Sequence, residues 1–138
     1  MVSVVVIGRN EGERLARCLE SIQKMTFLKD NPNKVEVIYV DSASNDESPA
    51  KAATFNVKII VIQTNRPSAA LARNKGWQAA SAPFVLFLDG DTILHPDFVT
   101  VALREFNDPK VAVVWGHRRE LYPEASIYNR VLDLDWIF

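Results

Sequence analysis

Asp89-Gly90-Asp91 stands directly after the apolar run Phe84-Val85-Leu86-Phe87-Leu88. A carboxylate in that place leaves a buried strand at the sheet edge, and a glycine turn lets the second acid point into the same space. Two hard oxygen donors so placed suit Mg²⁺ or Mn²⁺, and Mg²⁺ is commonly shared between one or two carboxylates and substrate phosphates. A cation held this way would neutralise a diphosphate and stabilise it as a leaving group. The same three residues also fit a plain turn with one aspartate capping the next helix. Asp41 ends a second expected buried strand, Val35 to Val40. There it can accept from a base N–H or a ribose hydroxyl, or simply start a turn. Asn10-Glu11 comes after a first apolar run, Val2 to Ile7. An acid there joins the same polar rim or complements the positive end of a helix dipole, and the two roles are compatible.

Ala72-Arg73-Asn74-Lys75-Gly76 falls inside a helical pattern, where Asn and Gly are poor formers. Gly76 implies close backbone approach, and Arg73 is a permanent cation able to reach a base or phosphate. Lys75 reads as part of a solvated face, and Arg66, in the preceding loop, is a second phosphate candidate. His95 precedes Pro96 and reads as a turn residue. His117, in Gly116-His117-Arg118-Arg119, is the histidine placed to approach a diphosphate. No Ser/His/Asp or Cys/His set is evident. Gly8-Arg9-Asn10-Glu11-Gly12 matches neither the dinucleotide fingerprint nor the P-loop.

The elements that must position these residues alternate. Strands are expected over Val2–Ile7, Val35–Val40, Val57–Ile62, Phe84–Leu88 and Val111–Trp115. The stripe Leu15, Cys18, Leu19, Ile22 and Met25 has helical spacing. Further helices are expected from an Asp46 N-cap to Phe55, over Ala69–Ala80, and from Pro96 to Phe106. Strand–helix alternation with short connections implies an α/β fold, a mostly parallel sheet with helices on both faces. Ligands of such sheets bind outside the carboxyl ends of the strands where strand order reverses. Those ends carry Gly8 to Glu11, Asp41, and Asp89 to Asp91, so three strands deliver polar side chains to one rim.

Composition narrows the class. The 138 residues suit one core, and 16 Lys+Arg against 17 Asp+Glu give a net charge of −1, which argues against a nucleic-acid binder. Cys18 is the single cysteine, which excludes an intrachain disulfide and favours a reducing, cytoplasmic location. It is expected as a buried small hydrophobe rather than a reactive thiol. The first apolar run is too short for a signal or a membrane span.

Taken in order, the motifs resemble glycosyltransferase family 2, with its GT-A fold. Val4-Val5-Val6-Ile7-Gly8-Arg9-Asn10-Glu11 looks like the first strand and N-E turn of that family. Val40-Asp41-Ser42-Ala43-Ser44-Asn45-Asp46 is similar to its V-D-D-G-S-x-D loop. Ala72-Arg73-Asn74-x-Gly76 is similar to A-R-N-x-G, and Leu88-Asp89-Gly90-Asp91 to L-D-x-D. The resemblance implies an inverting transferase moving a sugar from a UDP- or GDP-linked donor to an acceptor hydroxyl. It implies that Asp41 binds the nucleobase with Gly8, Arg9, Glu11 and Arg73 nearby. Asp89, with Gly90, would contact the ribose, and Asp91, with Asp89, would hold Mg²⁺ or Mn²⁺.

Two departures from the pattern stand out: Ser42 replaces the second aspartate, and Ala43 replaces the glycine. The relatives also carry a carboxylate base well downstream of D-x-D, needed to deprotonate the acceptor. Glu120, Glu124, Asp133 and Asp135 match no such motif, so that base is expected beyond Phe138. Residues 1–119 are expected to form the nucleotide-sugar-binding core. Residues 120–138 would then be a helical segment beginning the acceptor part. Its stripe Ile127, Val131, Leu134 and Ile137 suits a homodimer contact or a continuation of the chain. The expected location is cytoplasmic, free or at the inner face of the membrane. Two other readings are a non-catalytic interaction module on the same sheet and a sugar-phosphate nucleotidyltransferase. The latter usually needs a longer, basic glycine-rich loop than Gly8–Gly12 offers.

Overall fold

The structure is a computed structural model and describes residues 1–135. β1 (Val2–Gly8), β2 (Val35–Asp41), β3 (Lys58–Val61) and β4 (Phe84–Asp89) form one sheet in the order β3-β2-β1-β4. Every pairing is parallel. The chain steps outward from β1 to β3, then returns to the far side of β1 to place β4. The crevice where strand order reverses therefore opens between the ends of β1 and β4.

α1 (Glu13–Gln23), α2 (Thr26–Asp30), α3 (Ser48–Ala52) and α4 (Ala69–Ala79) fill the connections between strands, and α5 (Phe98–Glu105) comes after β4. β1 is β-branched almost throughout and buried from Val2 to Ile7, as a strand covered on both faces must be. Val5, Ile7, Ile38 and Val40 pack with Ala72 of α4 and with Ile62. Alternation sends Val4, Val6 and Tyr39 to the other face, and the α1 stripe Leu15, Cys18, Leu19 and Ile22 is buried with them. Met25, just past the helix end, is wholly buried too. The side chain of Ser68 caps α4, accepting from Leu71 N at 3.1 Å. Glu47, not Asp46, is the N-cap of α3, which ends at Ala52 rather than Phe55; the Asp46 carboxylate lies one residue earlier and accepts from Ser48 N at 2.9 Å.

Glu36 ties the opposite edge of the sheet together. Its Oε1 accepts from Ser81 N at 2.6 Å and Ser81 Oγ at 2.7 Å, and from Ser3 Oγ, which itself accepts from Ala82 N at 3.0 Å. Burial by itself would raise the carboxyl, but the donors on Ser3 and Ser81 outweigh it and hold it below its ordinary value. A carboxyl depressed in the folded state contributes stability that is complete above its unfolded value near 4.5. That contribution fades as pH falls through the lower folded value. Glu36→Gln is thus expected to lower Tm at neutral pH and to flatten its decline below pH 4.5. Thermal melts across pH check it.

The chain divides into two compact units, Met1–Thr100 and a second beginning at Val101. Within the second unit, a 3-10 turn (Pro123–Ala125) precedes α6 (Ile127–Asp135). Arg119 grips Asp133 with two bonds of 2.8 Å, holding that carboxyl at about 2. The expected fifth strand, Val111–Trp115, does not form among the described residues, and Val113 and Trp115 are exposed. Its β-branched composition suits a strand, but a strand exists only where an edge pairs with it, and this segment pairs with none. Ile127, Val131 and Leu134 of the terminal stripe are exposed, while Ile137 lies outside the described residues. No helix among the described residues is long and apolar enough to cross a membrane.

Candidate functional site

Two loops at the carboxyl ends of β1 and β2 are zipped together. Ser42 N donates to Gly8 O at 2.9 Å, Asn10 N to Ser44 Oγ at 2.9 Å, and Asn45 N back to Asn10 Oδ1 at 2.9 Å. Gly12 N donates to Ser48 Oγ at 2.9 Å. This reciprocal set needs left-handed backbone at Asn10 (φ 56), Gly12 (φ 51) and Ala43 (φ 57). Asn and Gly tolerate that region, whereas an alanine there is strained. Ala43→Gly should therefore raise stability by about 1 kcal/mol, the relief of strain exceeding the added freedom of the unfolded chain. Urea unfolding measures it.

β4 ends at Asp89, and Gly90 N then donates to Ile7 O at 2.8 Å, pulling the turn against β1. A Cβ at Gly90 would meet that oxygen at 3.1 Å and Glu11 Cγ at 3.4 Å, and one at Gly8 would meet Glu11 Cγ at 3.0 Å. The two glycines thus leave the slot in which Glu11 lies. Around it opens a cavity of about 340 Å³, lined by Ile7, Gly8, Arg9, Glu11, Ser42, Pro67, Ser68, Ala69, Arg73, Asp89 and Asp91. It lies within the first unit and sits at the switch point of the sheet. A larger cavity, about 470 Å³, is lined by Leu19, Ile22, Leu28, Val35, Val37, Phe55 and Lys58 among others. It lies at the amino ends of β2 and β3; Glu36 is the one acid among its lining residues, and Glu11, Asp41, Asp89 and Asp91 are absent from it. Size does not outrank chemistry, and the smaller cavity is the candidate site.

The electrostatics mark the same place. Arg73 Nη2 lies 2.6 Å from Asp89 Oδ1, both side chains being part-exposed. Glu11 is raised above its ordinary carboxyl value, first by burial and then by the nearby Asp91 and Asp46 charges, with Arg14 opposing. Arg14 Nη2 sits 3.0 Å from Glu11 Oε2, but off hydrogen-bonding geometry, so that buried oxygen has no hydrogen-bond donor among the described residues. Cys18 lies behind the turn, its Sγ 3.7 Å from Asp89 O, and its thiol is pushed up to about 12 by burial, then by Asp91, Asp89 and Glu11. It is a buried thiol, as its place on the α1 stripe implies.

Asp41 is placed differently from the other rim acids. It is wholly buried and off the cavity wall, and its carboxylate accepts from Tyr39 Oη at 2.8 Å, Ser44 N at 2.9 Å and Ser44 Oγ at 2.5 Å. Three donors make it the anchor of the Ser44 loop. Strand alternation gives the physical reason: with Asp41 turned inward, the next residue, Ser42, reaches the wall. Gly90 is likewise buried and spaces the two aspartates without lining the cavity. Gly8, Arg9, Glu11, Arg73, Asp89 and Asp91 are brought together. Arg66 is exposed and off the wall, Lys75 is solvated as expected, and His95 serves its turn, its Nδ1 accepting from Asp97 N at 3.3 Å. His117 belongs to the second unit and is exposed. Pro67, Ser68 and Ala69 join the wall without having been singled out by residue type. The N-cap signal at Ser68, opening a helix at the rim, is the pattern that marks them.

Among the described residues, no three His, Cys, Asp or Glu side chains gather to hold a metal by themselves. Asp91 is exposed and makes no hydrogen bond or ion pair among the described residues. With Asp89 beside it, it offers the hard oxygens of an ion that completes its shell with phosphate and water. The donor set fits Mg²⁺ or Mn²⁺ on that condition.

Comparison with known proteins agrees with the geometry. Glycosyltransferase AglE of Haloferax volcanii is 29% identical over 129 residues, covering 91% of this chain and 41% of that protein. A mannosyltransferase of Pyrobaculum calidifontis, solved in complex with GDP-Man and Mn²⁺, superimposes with a TM-score of 0.68 at 29% identity, over 80% of this chain and 33% of that one. Staphylococcus aureus TarS, solved with UDP-GlcNAc, gives a TM-score of 0.66 at 26% identity, over 78% of this chain and 31% of that one. The chain thus spans well under half the length of these relatives. Its parallel sheet with flanking helices is their shared GT-A fold. Residues 3–136 match the family described as Glycosyl transferase family 2, and the chain belongs to it.

Proposed function

We propose that the switch-point cavity binds the nucleoside diphosphate of a nucleotide sugar together with Mg²⁺ or Mn²⁺. The sugar is then transferred to an acceptor hydroxyl with inversion. The observation that carries this reading is the meeting of Asp89, Asp91, Glu11 and Arg73 around one cavity at the reversal of strand order. Asp91 holds the ion, which when bound supplies positive charge to a diphosphate leaving group. Asp89, steadied by Arg73, receives a ribose hydroxyl. Ser42, not Asp41, faces the base, and Asp41 keeps the Ser44 loop in place behind it. None of the residues on the cavity wall is assigned as a covalent nucleophile or as the general base.

The GDP-Man and Mn²⁺ complex of the mannosyltransferase and the UDP-GlcNAc complex of TarS support the donor class. They also give reason to try both nucleobases. Titration calorimetry with UDP and GDP, each with and without Mn²⁺, is expected to show one of them binding at least about tenfold tighter with the ion. Equal affinity with and without Mn²⁺, or no binding of either, contradicts the reading.

A further inference from the structure

Guanidinium groups stand against two of the three acids on the cavity wall, and none against Asp91 among the described residues. Arg73 Nη2 is 2.6 Å from Asp89 Oδ1, and Arg14 Nη2 is 3.0 Å from Glu11 Oε2. Asp41 is enclosed by three hydrogen-bond donors. We infer that Arg73 is a built-in counter-ion of Asp89 that keeps the free protein from binding the divalent ion, so that the ion enters only with the donor diphosphate. The inference rests on the donor-binding reading above and concerns the order in which its ligands assemble.

The charges set this order. Asp89 and Asp91, with no cation against either, would offer a divalent ion two carboxylates on one wall. With Asp89 facing the Arg73 guanidinium and Glu11 facing Arg14, Asp91 is the exposed carboxylate of the cavity wall with no guanidinium against it among the described residues. One exposed carboxylate holds Mg²⁺ or Mn²⁺ weakly, because such ions give up water reluctantly and need several anionic oxygens. A diphosphate brings those oxygens. Arg73 is well placed for the role, since α4 carries it on a helix fixed by the close packing of Gly76 on Val5. Arginine suits it better than lysine because the guanidinium cannot be neutralised and holds a carboxylate in a fixed fork. Arg73 is therefore a positioning residue for Asp89, not a phosphate ligand.

Mn²⁺ binding measured by electron paramagnetic resonance of the free aqueous ion reads this without any turnover. Wild type by itself is expected to bind Mn²⁺ weakly, and about tenfold or more tighter once UDP or GDP is present. Arg73→Met, in the absence of nucleotide, should bind Mn²⁺ about tenfold tighter than wild type, the scale of releasing one nearby unit charge. Arg73→Lys, which keeps the positive charge, should stay near wild type. Adding Asp89→Asn to Arg73→Met should abolish the gain. Circular dichroism confirms that each variant is folded. If Arg73→Met leaves the nucleotide-free Mn²⁺ affinity unchanged while nucleotide still binds with the ion, the counter-ion role is overturned and the donor site stands. If wild type binds neither nucleotide, the donor-binding reading fails and takes this inference with it.

Discussion

Asp91→Ala is expected to remove the gain in nucleoside diphosphate affinity that Mn²⁺ confers, a loss of about tenfold to a hundredfold when the ion is present. Without the ion, wild type and variant should bind alike. The reason lies in what surrounds each aspartate. Asp91 is exposed and makes no hydrogen bond or ion pair among the described residues, so its removal leaves no buried donor stranded and should shift stability by less than about 0.5 kcal/mol. Asp41→Ala is the opposite case. It strands Tyr39 Oη and Ser44 N, and should cost stability before it affects affinity. The pair separates a ligand from an anchor. Calorimetry with and without Mn²⁺ reads the first effect, and urea unfolding the second. An Asp91→Ala variant that keeps its full response to Mn²⁺ removes Asp91 from the ion's shell.

Substitution of Gly76 is expected to give the largest loss of stability. A Cβ there would lie 2.2 Å from Val5 Cγ1 and 3.2 Å from Val40 Cγ2. Both valines are wholly buried and β-branched, so neither has another rotamer to retreat into. Alanine gains about 1 kcal/mol in helix propensity over glycine, but overpacking of this kind costs about 1–3 kcal/mol. Gly76→Ala should thus be destabilised by about 1 kcal/mol, and Gly76→Leu, which must lift α4 off the sheet, by about 3 kcal/mol or more. Because α4 carries both Arg73 and Ser68 to the cavity, Gly76→Leu should also lose nucleotide affinity. A Gly76→Ala variant more stable than wild type in urea shows that α4 does not approach β1 so closely.

Both predictions rest on features that the sequence displayed to different degrees. β1 was legible because a strand covered on both faces must be apolar along its length, and α1 because its stripe keeps a helical period; β2 and β4 were legible from their β-branched and aromatic runs, although β4 is an edge strand with Phe84 and Phe87 exposed. The rim was legible for the same reason: polar residues directly after such strands have nowhere to go but the sheet edge. Val111–Trp115 had strand composition without a partner, and pairing is a property of the neighbour, not of the segment. Asp41 and Ser42 show a finer limit. Both stand at the end of β2, and which of them reaches the cavity wall depends on strand alternation and on Tyr39 and Ser44 capturing one carboxylate. The Arg73–Asp89 pair joins residues sixteen positions apart on different elements, so no local pattern announces it. Gly76 was the exception among tertiary features, since a glycine inside a helix has few reasons to be there except close approach.

The cavity at the β1/β4 switch point, not the larger one at the amino ends of β2 and β3, is expected to receive a nucleoside diphosphate. Amide chemical-shift mapping of the ¹⁵N-labelled protein with UDP or GDP and diamagnetic Mg²⁺ tests it most directly. Shifts are expected to concentrate at Gly8 to Gly12, Ser42 to Ser44, Ser68 to Arg73 and Asp89 to Thr92. Shifts that gather instead at Leu19, Val35, Val37 and Lys58, or that fail to appear with either nucleotide, contradict it.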